Sequence, residues 1–175
     1  MSHPQNHVFI LMGVSGSGKS AVARAVAHDI NAAMLDGDYL HPRANINKMA
    51  AGHALDDNDR TPWLVALNDA IFAMQRTNGV SLLVCSALKK RYRDRLREGN
   101  SNVHFIYLKG DKAVIEARLK QRKGHFFKPQ MLVSQFATLE EPDAQEQDVQ
   151  AIDINQPLDG VVADIIAYVQ GVASR

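Results

Sequence analysis

Gly13-Val14-Ser15-Gly16-Ser17-Gly18-Lys19-Ser20 decides how this chain folds. The apolar run Val8–Met12 leads straight into it, and Ala21, Val22, Ala25, Val26 and Ile30 follow at helical spacing. The pattern is G-x-x-x-x-G-K-[ST] between a strand and a helix, the context in which it cradles phosphate. Its glycines let the backbone curl so that successive N–H groups face phosphate oxygens. Lys19 can reach the β- and γ-phosphates, and the Ser20 hydroxyl can ligate Mg²⁺. The helix that starts near Lys19 turns its positive end on the same anion. Gly13, Val14, Ser15, Gly16, Ser17, Gly18, Lys19 and Ser20 are therefore the expected nucleotide-binding residues.

The rest of the chain repeats that strand–helix alternation. Short apolar runs at Ala32–Leu35, Val80–Cys85, Val103–Leu108 and Val149–Ile154 suit buried parallel strands. Helical spacing fills the gaps, with Pro62 in the first turn of one helix behind an Asp59 or Thr61 cap. Other helices are expected over Lys90–Glu98, after Asp111, over Met131–Leu139 and after Pro157. Five strands alternating with helices predict an α/β fold, a parallel sheet with helices on both faces. Two stretches, about 40–60 and about 122–141, are expected as a substrate-binding flap and a mobile lid. Loops of that kind close over substrate and expel water in phosphoryl-transfer enzymes.

Composition narrows the function. The 175 residues favour one domain, and 46% apolar content supports a sizeable core. Twenty basic against nineteen acidic residues give a net charge of +1, which argues against nucleic acid or a membrane surface as partner. The single cysteine, Cys85, excludes an intramolecular disulfide and fits a reducing compartment. The polar N-terminus lacks a signal-peptide apolar stretch, so a cytoplasmic location is expected.

Parallel sheets bind ligands at the carboxyl ends of their strands, which selects further candidates. Asp36 and Asp38 flank Gly37 at the end of the second strand. One can hold a metal and the other can accept a hydroxyl proton; the plainer reading is a solvated Asp-Gly turn. Arg60 can match a carboxylate in two-point fashion. His41 and Asn45 can hydrogen-bond hydroxyls, or serve the surface or the fold. Lys89 and Arg93 follow the third strand, where cations meet a substrate carboxylate or phosphate, or simply solvate an exposed helix. Arg118 and Arg122, one helical turn apart, can reach a transferred phosphoryl group, or complement the helix dipole.

Together the motifs closely resemble one family. They are the phosphate loop, Leu35-Asp36-Gly37-Asp38-x-x-His41, Asn45-x-x-Lys48-Met49, Leu55-x-Asp57-x-Asp59-Arg60-x-Pro62-Trp63-Leu64, Cys85-Ser86-Ala87-Leu88-Lys89 and Gly124-His125-Phe126. That set resembles the bacterial gluconokinases over about 8–162. The resemblance implies ATP-dependent phosphorylation of D-gluconate to 6-phosphogluconate with Mg²⁺. It implies a P-loop, nucleoside-monophosphate-kinase-like three-layer fold, sheet order 2-3-1-4-5, and a homodimer. Pro157 closes a segment similar to the one beside the adenine in related kinases. Many relatives carry Pro and Thr where this chain has Ala54 and Asp56. On this reading Lys19, Asp38, Arg118 and Arg122 are catalytic, and Ser20 and Asp36 hold the metal. Asp38, His41, Asn45, Arg60, Lys89 and Arg93 bind substrate. A shikimate kinase would show a glycine-rich turn after the third strand, an adenylylsulfate kinase resembles the chain at the Leu35–Asp38 element, and a nucleoside-monophosphate kinase stays open because Arg60 and Arg93 can grip a phosphate.

Overall fold

The structure is a computed structural model that describes residues 5–121 and 129–175. Five strands, β1 (His7–Met12), β2 (Ala33–Asp36), β3 (Val80–Val84), β4 (Val103–Lys109) and β5 (Val149–Asp153), form one sheet in the order β2-β3-β1-β4-β5. All four pairings are parallel. This is the expected topology. β1 sits in the centre, with Ile10 opposite Leu83 on one side and Phe105 on the other. Its residues are buried throughout, as a strand covered on both faces requires.

Alternation along the strands divides the core in two. Phe9, Leu11, Leu82, Val84 and Ile106 pack with Val22 and Val26 of α1 (Lys19–Ile30). The same layer takes Val161, Ile165 and Val169 of α7 (Leu158–Ala173). Val8, Ile10, Met12, Leu83 and Phe105 face the other way, onto Trp63, Leu67 and Ile71 of α3 (Asp57–Gln75). Tyr92 and Leu96 of α4 (Lys90–Arg97) complete that layer. The remaining helices are α2 (Arg43–Ala50), α5 (Lys112–Gln121) and α6 (Pro129–Thr138).

Two boundaries depart from expectation. α3 begins at Asp57, earlier than an Asp59 or Thr61 cap would start it. Asp56 is its cap: Asp56 accepts from the Asp59 N–H and Asp59 accepts from the Asp56 N–H, a reciprocal capping box. Pro62 therefore lies inside the helix rather than in its first turn. The expected flap holds a helix of its own, α2. The expected lid at about 122–141 lies in part outside the described residues, and α6 is its described portion.

Candidate active site

The phosphate loop runs from the end of β1 to the start of α1. Gly13, Gly16 and Gly18 have φ of 146°, 84° and 91°, values that side chains resist. Lys19 folds over the loop and donates to the carbonyls of Gly13 (2.9 Å) and Val14 (3.0 Å). The Gly13 N–H is held by the Ser86 carbonyl at 3.2 Å, which ties the loop to the end of β3.

One strand over, Asp36 joins the donor and acceptor halves. Its Oδ2 accepts from Ser20 Oγ at 3.1 Å, and its Oδ1 accepts from the Asp38 N–H at 3.0 Å. Two hard oxygen donors at the mouth of a phosphate loop fit Mg²⁺, which takes one or two protein oxygens beside phosphate and water. Gly37 between them is forced by space. A Cβ there would lie 2.5 Å from the Val84 carbonyl oxygen and 2.9 Å from Leu67 Cδ2. Trp63 Nε1 donates to the Gly37 carbonyl at 2.9 Å and fixes the turn from the other side.

Asp38 as a residue is exposed, yet its carboxyl is partly buried by the protein around it. That burial, and then the charge of Asp36, raise its pKa above the ordinary carboxylate value; Lys19 and His41 pull against them. A raised carboxyl is a better proton acceptor near neutral pH. His41 lies flat on Trp63, with ring centroids 4.2 Å apart and planes 13° apart. Asn45 Nδ2 donates to His41 Nδ1 at 3.2 Å and to the Asp59 carbonyl at 2.8 Å. Neutral His41 therefore carries its proton on Nε2. Burial lowers its pKa and keeps it neutral. Asn45 is itself buried and orients His41. Lys48 Nζ bonds Asp59 Oδ2 at 2.5 Å, pinning α2 to the first turn of α3.

Asp57, which enters the sequence reading only within the Leu55–Leu64 motif, is the hub of the acceptor side. Arg91 and the Tyr92 hydroxyl donate to it, Lys89 Nζ lies 3.5 Å from Oδ1, and Arg60 lies 3.9 Å away. Arg60 also donates to the Tyr92 hydroxyl at 3.1 Å. The Tyr92 hydrogen bond, then that of Arg91, lowers the Asp57 pKa to about 2. Three cations around one permanently ionised carboxylate leave net positive charge, the balance that an anionic acceptor needs.

Arg93 corrects an expectation. It was placed among the substrate cations, but its side chain is 1% exposed and points into the protein. All five of its N–H donors are used: two on Glu146 (2.7 and 2.8 Å), and the others on the carbonyls of Ala87, Leu88 and Glu140. It holds the loop that carries Lys89 and leaves no donor for a ligand.

Arg118 donates to the carbonyls of Ile154 and Gln156, beside Pro157 at the start of α7. It lines a cleft of about 460 Å³ with Val114, Ala117, Asn155 and Gln156. Arg118, expected at the transferred phosphoryl group, is instead held against the segment that leads into Pro157. Arg122 and the Gly124-His125-Phe126 element lie outside the described residues. Cys85 is buried, and burial pushes its thiol up to about 12, so it is no nucleophile.

Comparisons with known proteins give the family and the fold. A family model described as an AAA domain matches residues 8–142. The thermoresistant gluconokinase of Escherichia coli K12 is 70% identical over 165 residues, covering 94% of each chain. The chain belongs to the gluconokinase family. The thermosensitive gluconokinase of the same strain is 51% identical over 153 residues, covering 87% of this chain and 82% of that one. A crystal structure of a gluconokinase from Sinorhizobium meliloti 1021 superimposes with a TM-score of 0.86 at 38% identity, over 98% of this chain and 96% of that one. Among the described residues no helix is long and apolar enough to cross a membrane.

Proposed function

We propose that this gluconokinase-family chain transfers the γ-phosphoryl group of ATP to the terminal hydroxyl of D-gluconate, forming 6-phosphogluconate. One observation carries the reading: the phosphate loop and the Asp38–His41–Arg60–Lys89 group share one sheet edge, joined through Asp36.

Phosphoryl transfer asks the protein for position and charge rather than covalent chemistry. Within Gly13–Ser20, the amides not already given to Ser86, Gln135 and Val14 cradle the phosphates, and Lys19 turns from the loop carbonyls to the β- and γ-oxygens. Ser20 and Asp36 would hold Mg²⁺, which would supply positive charge against the phosphates. Arg60 and Lys89 receive the gluconate carboxylate, with Asp57 setting where their charges stand. His41 Nε2 donates to a substrate hydroxyl. Asp38 orients the terminal hydroxyl and takes its proton as the O–P bond forms. Arg118 and Pro157 border the nucleotide's base end. Arg122 serves the phosphoryl group in flight. The flap at about 40–60 carries His41, Asn45 and Arg60, the lid at about 122–141 serves the donor side, and both belong to one catalytic domain. A cytoplasmic homodimer is part of the same proposal, and light scattering in solution tests the dimer.

The test is ADP release with gluconate, shikimate, adenylylsulfate and AMP in parallel. Release with gluconate alone supports the reading. Release with another acceptor, or at one rate regardless of acceptor, overturns it.

A further inference from the structure

α6 touches the phosphate loop through a side chain that the catalytic reading leaves out. Gln135 Oε1 accepts from the Ser15 backbone N–H at 2.5 Å, and Gln135 Nε2 donates to Ser15 Oγ at 2.7 Å. One carboxamide thus meets both polar groups of one loop residue, across 120 positions of sequence. A carboxamide carries an acceptor oxygen and a donor nitrogen on one carbon, which suits this pair of partners.

The contact is built rather than incidental. Leu132, one turn earlier on α6, is buried, and Phe136 and Leu139 pack on the same core layer. The backbone beyond α6 is tied to the acceptor side: the Glu140 N–H donates to the Leu88 carbonyl at 2.8 Å, and Glu140 Oε1 accepts from the Lys90 N–H at 2.9 Å. Next to Ser15, Gly16 leaves no room on its outer side, since a Cβ there would stand 2.7 Å from Leu119 Cγ of α5. α5 and α6 therefore brace the front of the loop. A loop with three glycines at positive φ has little stiffness of its own, and ties from outside must hold its shape.

We propose that Gln135 is a positioning residue for the phosphate loop: it fixes Ser15 so that the loop is already wrapped when ATP arrives. Pre-organising a binding loop strengthens binding by removing the ordering cost. The same helix is anchored to the Leu88–Lys90 segment, so Gln135 links the grip on ATP to the loop carrying Lys89. The proposal rests on the phosphoryl-transfer reading only for its kinetic readout; its binding readout stands alone.

The test compares Gln135→Leu, Gln135→Glu, Ser15→Ala and the double variant S15A/Q135L. Binding of a non-hydrolysable ATP analogue is measured by calorimetry, kinetics at saturating gluconate give the KM for ATP, and thermal melting monitors the fold. Two lost hydrogen bonds predict about tenfold weaker nucleotide binding in Q135L. KM for ATP rises in step, KM for gluconate stays within about twofold, and melting stays near wild type. S15A keeps the N–H half of the contact and loses less. S15A/Q135L is no worse than Q135L, the non-additivity of a direct pair. Q135E loses the donor and brings negative charge to the loop, so it binds the analogue more weakly than Q135L. Wild-type binding in Q135L, or simple addition in the double variant, overturns the proposal. A fall in melting temperature with equal losses on both substrates also overturns it, because that marks a purely structural role. If the wild type binds the analogue yet leaves gluconate untouched, the functional reading fails and the calorimetric comparison still decides Gln135.

Discussion

Replacing Arg93 with Met should unfold this protein far more readily while adding only a neutral side chain of similar length. The guanidinium is 1% exposed and Glu146 is 4% exposed. Arg93→Met would leave Glu146 with Arg97 Nη2 at 2.8 Å as its remaining hydrogen-bond donor. It would also strip a donor from the carbonyls of Ala87, Leu88 and Glu140. Burial works against ionising Glu146, but the hydrogen bonds from Arg93 and Arg97 outweigh it and lower its pKa. Removing one partner of a buried ion pair costs about 3–5 kcal/mol, because the other charge stays behind. For a chain of this size each kcal/mol moves the melting temperature by about 2–4 °C, so Arg93→Met should melt about 6–20 °C below wild type. Arg93→Lys keeps the charge but not the fork, and should fall between the two. The assay is thermal melting by circular dichroism at neutral pH. A Met variant that melts within about 2 °C of wild type would refute the structural role and return Arg93 to the substrate cations.

Three further outcomes follow from the geometry. Asp38→Asn should cut kcat by about 10²–10⁴-fold with melting unchanged, and should abolish the acid limb of the wild-type pH profile; near-normal turnover at saturating gluconate would remove Asp38 as base. Gly37→Ala drives a Cβ onto the Val84 carbonyl, and should cost about 2 kcal/mol, or about 4–8 °C in melting. His7 Nδ1 and His104 Nε2 lie 3.0 Å apart, and burial lowers both pKa values, with His7 adding to the effect on His104. Both rings are therefore kept neutral in the folded state. Their contribution is complete above the unfolded pKa of about 6.5 and is lost as pH falls through the lower folded values. Melting temperature should drop on acidification below pH 7, and less steeply in His104→Phe; equal slopes would contradict the pairing.

The sheet was legible because its strands are short, apolar and doubly covered, a pattern that Val8–Met12 and Val80–Val84 state directly. Asp36, Asp38 and the loop were legible because strand ends in a parallel sheet are where ligands sit. The start of α3 was misread because Asp56 to Asp59 looks like a solvated turn, whereas two aspartates three apart can cap each other. Arg93 was misread because it stands in a run of basic residues, and its partner Glu146 is 53 positions away. Nothing local marks which arginine of α4 turns inward. The signal present, helical spacing with Tyr92 and Leu96, places Arg93 close to the buried face without saying what neutralises it. Asp57 and Gln135 were missed as organising residues for the same reason: each acts on partners brought near only by the fold.

The most direct test of the account is phosphorus NMR of the products formed from ATP, Mg²⁺ and gluconate. The account predicts a phosphomonoester on the terminal hydroxyl, formed one for one with ADP. Inorganic phosphate in its place, a phosphate ester at another hydroxyl, or unchanged ATP would contradict it.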